Sequence, residues 1–236
     1  MREHTILVVA HPDDEVLWFS SILQRVGLII IAFRDYDAVP GLGNRRAAAI
    51  AELPYANLVC LAIPEAGSLK LADWQNATVT ESGLALLGSP AVQRRYETNF
   101  TTLKAQLADL LRGVTEVYTH NPWGEYGHED HIQVHRAVEN LSAAYGFQMW
   151  VPNYYGTRSE KLASRYRAPD VPARILPVDG PMAQDLAAIY ERHDCWTWTH
   201  GWTWPREDVF LSGPFRLAGS TDVGPRRDLR FVQSEI

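Results

Sequence analysis

Short, largely apolar runs alternate along this chain with segments of helical periodicity, and this alternation restricts the possible folds. The first apolar run ends at Ala10, where His11 and Pro12 follow. Short runs that are rich in β-branched residues and bounded by turn residues are typical of strands buried on both faces of a helix-covered parallel sheet. The predicted strands cover residues 5–10, 28–33, 57–63, 116–119, 147–151 and 174–178.

Segments with helical spacing of apolar residues fill the intervals between these strands. Strands and helices in regular alternation favour a parallel sheet with helices on both faces. We therefore predict an α/β fold with a doubly wound, mostly parallel sheet. Residues 64–92 show no sustained hydrophobic period, so we predict an irregular insertion there and assign it no function. The tail beyond Cys195 also lacks such a period and is predicted to be irregular. The predicted helices cover residues 16–26, 45–53, 92–112, 130–144 and 183–193.

Composition argues against several classes of protein. The chain has 236 residues, a net charge of -6 and scattered basic residues, so it lacks the basic footprint of a nucleic-acid-binding protein. No apolar run is long enough to span a membrane, and residues 6–10 are too short for a signal-peptide core, so we expect a cytoplasmic protein without a membrane partner. The chain has two cysteines, Cys60 and Cys195, which are too few for a fold that is built on disulfides. The apolar surroundings of Cys60 predict a buried thiol.

The residues that carry chemistry follow two of the predicted strands. His11, Asp13 and Asp14 come directly after the first strand, and the GHEDH segment at 127–131 follows the strand at 116–119 and begins a helix. In open α/β sheets, ligands bind in a crevice outside the carboxyl ends of the strands. Both segments are therefore expected to reach the same site, although more than a hundred residues separate them.

Imidazole and carboxylate side chains at this crevice suit a zinc ion. Catalytic zinc sites typically use three protein ligands and leave one position open for water. We predict that His11, Asp14 and His131 form this set, which leaves Asp13 as a general base toward water. The same two-histidine, one-carboxylate set could hold Fe(II) for oxygenase chemistry, but Asp13 then has no obvious task.

The two segments together resemble the LmbE/PIG-L family of N-deacetylases. The resemblance rests on HPDDE at 11–15 after the first strand and on YGHEDH at 126–131, and it covers the order of elements over 1–150. It implies a Rossmann-like fold, a divalent metal that is usually zinc, and hydrolysis of the acetamido group of N-acetylglucosamine compounds. We expect a single domain over 1–236, with the metal-site core in 1–150 and a substrate-shaping part in 151–236.

Carried over position by position, the resemblance also assigns roles within the second motif. His128 is expected to act as an acid or to stabilise the oxyanion, and Tyr126 to help stabilise the tetrahedral intermediate. Asp130 is expected to orient a histidine. The metal ligands and the general base that the resemblance implies are the same as those that the residue types suggest, namely His11, Asp14, His131 and Asp13.

Four residues are candidates for contact with the substrate, and each has an ordinary packing or surface explanation as well. The tryptophans between Cys195 and Pro205 could be platforms for a sugar or simply pack in the core, and both explanations stay open. The candidates are Arg45, Arg46, His193 and Trp196.

The sequence thus predicts a deacetylase that uses Zn2+, or another divalent metal such as Fe2+, on a small-molecule amino sugar. One alternative keeps the metal and hydrolyses a longer N-acyl group or a conjugate amide. A binding module that has kept the scaffold without catalysis is a further alternative, but such a protein would be expected to have lost a ligand or the base.

Overall fold

The core of the protein is a seven-stranded sheet. The computed structural model describes residues 4–167, 173–217 and 230–231. In chain order the strands are β1 (Thr5–Val9), β2 (Leu28–Phe33), β3 (Leu58–Ile63), β4 (Val79–Thr80), β5 (Gly83–Leu84), β6 (Glu116–Thr119), β7 (Gln148–Pro152), β8 (Tyr154–Tyr155), β9 (Tyr166–Arg167), β10 (Arg174–Pro177), β11 (Glu207–Ser212), β12 (Arg216–Leu217) and β13 (Arg230–Phe231).

The order of strands in the sheet is β10-β11-β7-β6-β1-β2-β3. The five strands from β7 to β3 are parallel, and β11 is antiparallel to both of its neighbours. The chain runs outward from β1 to β2 and β3, and then returns to the other side of β1 with β6 and β7. Such a reversal opens a crevice at the carboxyl end of β1, where sheets of this kind bind ligands.

Helices cover both faces of the sheet, as the sequence predicts. Leu7 and Val9 of β1 belong to one buried cluster, and the intervening Ile6 and Val8 belong to another, because successive side chains of a strand point to opposite faces. Helices α1, α2 and α6 pack on the first cluster, and α3 and α4 on the second. The helices are α1 (Asp14–Phe19), α2 (Leu42–Glu52), α3 (Pro90–Leu110), α4 (Glu129–Tyr145), α5 (Glu160–Arg165) and α6 (Gly180–Arg192).

Among the described residues, no helix combines the length and the apolar character needed to cross a membrane.

The predicted strands at 28–33 and 116–119 coincide with β2 and β6. The mostly parallel α/β sheet predicted from the sequence is confirmed, with β11 as its antiparallel member.

The first helix is shorter than its periodicity predicts. It ends at Phe19, and a single turn of 3-10 helix covers Ser20–Ile22. The backbone N–H of Ser21 donates to Oδ2 of Asp208 at 3.2 Å, which takes this donor away from an α-helical hydrogen bond. The apolar residues that continue the helical spacing as far as Val26 are therefore buried against the core without being part of an α-helix.

Two further expectations from the sequence are corrected at the sheet. The tail predicted as irregular contributes β11, which lies between β7 and β10 within the sheet. Cys60 is half-buried rather than buried, because β3 is an edge strand with only one sheet neighbour. An apolar run alone does not distinguish an edge strand from a central one.

Candidate active site

Two strand ends and one helix start bring the predicted chemical residues together. The end of β1 leads into His11 and α1, the end of β6 leads into His120, and α4 begins just after His128. The rings of His11 and His131 have centroids 5.6 Å apart, although the residues are far apart in sequence. His11, Asp14 and His128 line a pocket of about 200 Å³, large enough for a monosaccharide-sized group but below the usual size of a drug-binding site.

His11, Asp14 and His131 present their donor atoms to one another as the predicted metal set requires. Nδ1 of His11 lies 3.3 Å from Oδ2 of Asp14, and Nε2 of His131 lies 3.2 Å from Oδ1 of Asp14. Two ligands of a tetrahedral zinc ion, each bound at 2.0–2.1 Å, are about 3.3 Å apart. These three residues also form one of the buried groups whose donor atoms all lie within 4.8 Å.

The hydrogen bonds around His131 leave one nitrogen without a partner. Nδ1 of His131 lies 2.6 Å from Oε2 of Glu125, which orients the ring. Nε2 is fully buried and, although Oδ1 of Asp14 lies 3.2 Å away, it makes no well-formed hydrogen bond with the described residues. A buried polar atom without a partner is costly, whereas a carboxylate behind a histidine is the usual support for a metal ligand. The arrangement fits a cation bound to Nε2.

Two overlapping groups of residues are less suited to a metal because their donor atoms are already engaged. Nε2 of His120 accepts the backbone N–H of Ala10 at 2.9 Å, so its proton lies on Nδ1 and is donated to Glu125 at 3.0 Å. Asp130 accepts Ser68 Oγ at 2.6 Å on Oδ1, and its Oδ2 lies 3.2 Å from His11 Nε2. If Nε2 of His11 donates to Asp130, Nδ1 keeps its lone pair for a metal.

The electrostatics of this cluster favour added positive charge. Burial lowers the pKa of His131, but the carboxylates of Asp14 and Glu125 outweigh it and raise that pKa to about 9. Burial would raise the pKa of Glu125, yet the two histidines hold it near 2. The buried carboxylates therefore stay ionised and call for a compensating charge, which a divalent cation supplies.

Asp13 lies beside the metal set in a strained and tightly held conformation. Its backbone is left-handed, with φ at +100°, and its N–H donates to Oε2 of Glu15 at 3.1 Å. Oδ2 accepts hydrogen bonds from the backbone N–H and the hydroxyl of Thr197. Burial and the adjacent Asp14 raise the pKa of Asp13 to about 7, against the hydrogen bonds that lower it.

His128 and Tyr126 present donors to the same pocket. Nδ1 of His128 accepts the N–H of Asp130 at 3.1 Å, so the proton of the neutral ring lies on Nε2. Burial, together with the nearby His11 and His131, lowers the pKa of His128 well below its usual value. Burial and the carboxylates raise the pKa of Tyr126 well above its usual value. Both groups are therefore neutral donors near pH 7.

Of the four residues predicted to contact substrate, the described pocket lining includes Arg46 alone. Arg46 is buried and donates to Glu65 and to the carbonyl of Arg34. Arg45 donates instead to the carbonyl of Asp194 at 2.9 Å. The other two lie elsewhere: His193 pairs with Glu52, and Trp196 packs near Tyr190 and Trp204.

Sequence reasoning missed several contributors. The insertion at 64–92 was assigned no function, yet it supplies Glu65, whose Oε1 is 3.9 Å from His11 Nε2, and Ser68, which holds Asp130. Its backbone is anchored to α4 through N–H groups that donate to Glu129. His120 and Glu125 could have been recognised from the sequence, because polar residues after a strand end mark this crevice. No local sequence pattern marks Thr197 as a contributor to the site.

Comparison with known proteins identifies one sequence relative. No family model matches the chain. A 1D-myo-inositol 2-acetamido-2-deoxy-alpha-D-glucopyranoside deacetylase from Rhodococcus opacus (strain B4) is 27% identical over 166 residues. The match covers 62% of this chain and 56% of the relative, so the chain spans little more than half the length of the protein it matches.

Solved structures show the same fold. The zinc inhibited form of teicoplanin deacetylase Orf2 superposes with a TM-score of 0.52 at 16% identity, covering 92% of this chain and all of that one. The A40926 pseudoaglycone deacetylase Dbv21 gives a TM-score of 0.53 at 13% identity over 93% of this chain and all of that one. The fold and the relative together confirm the resemblance to the LmbE/PIG-L family that the two motifs predict.

Proposed function

We propose that the protein is a zinc-dependent N-deacetylase that hydrolyses the acetamido group of an N-acetylglucosamine-containing small molecule to a free amine and acetate. The observation that carries the proposal is the unpartnered Nε2 of His131 facing Asp14, with His11 on the other side of the carboxylate and a constrained Asp13 adjacent. A ligand set with an adjacent base is what metal-assisted hydrolysis requires.

His11, Asp14 and His131 would hold the metal. Two imidazoles and one carboxylate suit zinc, although the same set also accepts Fe2+. A divalent cation held here lowers the pKa of a bound water and polarises the amide carbonyl. Glu125 and Asp130 fix the orientations of His131 and His11 from behind.

The side chains around the metal set divide the remaining work. Asp13 removes a proton from water as the oxygen attacks the amide carbon. The Nε2–H of His128 and the hydroxyl of Tyr126 donate to the oxygen that gains negative charge. Asp13, which has gained the proton, returns it to the nitrogen as the C–N bond breaks, which gives the free amine and acetate. His128 is poorly suited to that step because its lowered pKa keeps it neutral.

The size of the pocket and the names of the relatives support an amino-sugar substrate. A volume of about 200 Å³ leaves room for one sugar ring beside the metal set. The sequence relative acts on an acetamido-deoxyglucopyranosyl inositol, and the structural neighbours are a teicoplanin deacetylase and an A40926 pseudoaglycone deacetylase. Arg46, buried at the pocket, is the best placed of the four predicted contacts for a sugar hydroxyl.

An acyl panel separates the proposal from its nearest rival. Zinc-loaded protein is incubated with the methyl glycosides of N-acetyl-, N-butanoyl- and N-octanoylglucosamine, and free amine is measured. We expect the acetyl substrate to give the highest kcat/KM because the pocket is small. Faster hydrolysis of the octanoyl substrate would favour the longer-chain amidase, and an absence of amine from every substrate would contradict the proposed reaction.

A further inference from the structure

Asp13 is held at its backbone by Glu15, a residue of the first motif, and at its carboxylate by Thr197, which lies outside both motifs. Glu15 accepts the Asp13 N–H on Oε2 and the hydroxyl of Tyr190 on Oε1. Glu15 is fully buried, so this contact fixes the left-handed backbone that a non-glycine residue rarely adopts. The backbone of Asp13 is thereby set by α6, which carries Tyr190.

The carboxylate of Asp13 is set by Thr197. Oδ2 accepts the Thr197 backbone N–H at 2.9 Å and the Thr197 hydroxyl at 2.6 Å. These two bonds engage one oxygen of the carboxylate, and the described residues provide no hydrogen-bond partner for Oδ1. Thr197 and Asp13 both line the pocket, although 184 positions separate them in the sequence.

The segment that carries Thr197 is fixed by its neighbours. The N–H of Cys195 donates to the carbonyl of Tyr190 at 3.0 Å. Trp198 is buried and contacts Trp18 and Tyr126 edge-on, with ring centroids 5.1 and 4.8 Å apart. Thr197 is thus presented to Asp13 on an anchored backbone, so its hydroxyl can impose a direction on the carboxylate.

We propose that Thr197 is a positioning residue for the base: it engages Oδ2 of Asp13 and leaves Oδ1 as the atom that takes the proton from water. The inference rests on the proposed function. It gives the part of the chain beyond residue 150 a role in the chemistry itself, in addition to the substrate shaping expected there. A catalytic group that is displaced by about 1 Å can lose on the order of a hundredfold in rate.

The test compares Thr197→Val with Thr197→Ser in the zinc-loaded full chain. Valine keeps the β-branched shape and the backbone N–H but lacks the hydroxyl, and serine restores the hydroxyl. We expect kcat for an N-acetylglucosaminide to fall about tenfold or more in Thr197→Val, with KM and bound zinc within about twofold of wild type, and Thr197→Ser to recover most of the loss. Thr199→Val, at an exposed position of the same segment, is the matched control.

A double-mutant cycle decides whether Thr197 acts through Asp13. If it does, Thr197→Val has no further effect in an Asp13→Asn background. A full additional loss there, an unchanged kcat in Thr197→Val, or a loss that follows bound zinc would overturn the inference. Asp13→Asn with wild-type activity would instead contradict the proposed function, because the base itself would then be misassigned.

Discussion

Oε2 of Glu125 lies 2.6 Å from Nδ1 of His131 and, at the same time, 3.0 Å from Nδ1 of His120. One buried carboxylate oxygen therefore fixes both rings. In His131 this directs Nε2 toward Asp14, and in His120 it leaves Nε2 to accept the N–H of Ala10 at the end of β1. The contact joins the two strand ends on which the site is built.

Replacing Glu125 with glutamine is expected to weaken metal binding. The amide carries no charge, so the His131 ring becomes less basic and is held less firmly in its orientation. Loss of such support typically lowers metal affinity by about 10–100-fold. Competition with a fluorescent chelator measures the zinc affinity. Glu139→Gln, on the helix that carries His131 but paired with Arg136 away from the site, should bind zinc as wild type does. Equal affinities in the two variants would refute the role of Glu125.

Removing the imidazole of His128 is expected to reduce turnover more than binding. The Nε2–H donates to an oxygen that is negatively charged only as the reaction proceeds, and loss of such a donor costs about 10²–10³ in kcat. Steady-state kinetics of His128→Ala should therefore show a lower kcat with KM nearly unchanged. His128→Gln, which offers an amide N–H, should recover part of the rate. A change confined to KM would assign His128 to substrate binding instead.

The buried Asp208 is expected to make stability depend on pH. Burial raises its pKa above the usual 3.8, although it accepts hydrogen bonds from Ser21 and Tyr154. Because the folded pKa is the higher one, its contribution to stability is complete below about pH 4 and is lost as the pH rises through the folded value, with a slope of up to about 1.4 kcal/mol per pH unit.

Urea unfolding of wild type and Asp208→Asn from pH 4 to pH 8 measures this contribution. Asparagine can accept from Ser21 and donate to Tyr154, so the variant should fold. The free energy of unfolding of wild type, relative to the variant, should decrease as the pH rises. A difference that stays constant across this range would show that Asp208 ionises as readily in the folded protein as in the unfolded chain.

Much of the sheet could be predicted because its central strands are apolar on both faces and end at clear polar residues. Leu28–Phe33, which is apolar throughout and is followed by Arg34, is an example. The strand Glu207–Ser212 was missed because it alternates only briefly within a segment rich in tryptophan and proline, and its antiparallel pairing to β7 and β10 depends on tertiary contacts. The first helix was predicted over 16–26, whereas it runs from Asp14 to Phe19, and its early end depends on a contact with distant Asp208.

The candidate site divides in the same way. Residues that follow a strand within a motif, such as His11 and His131, are recognisable from residue type and position. Thr197 and Ser68 contribute single hydroxyl contacts from irregular segments, and no local pattern marks them. Arg45 and Arg46 are neighbours in sequence, yet only Arg46 turns inward, because adjacent helical positions face different directions.

We propose that a metal held by His11, Asp14 and His131 and a base at Asp13 together hydrolyse an N-acetyl amino sugar. The most direct measurement is acetate release from an N-acetylglucosaminide by zinc-loaded protein, by protein stripped with chelator, by stripped protein given zinc again, and by zinc-loaded Asp13→Asn. We expect acetate release that disappears on stripping, returns with zinc, and falls about 10²–10⁴-fold in Asp13→Asn at unchanged zinc content. Release that survives complete removal of the metal, or that is unaffected by Asp13→Asn, would contradict the proposal.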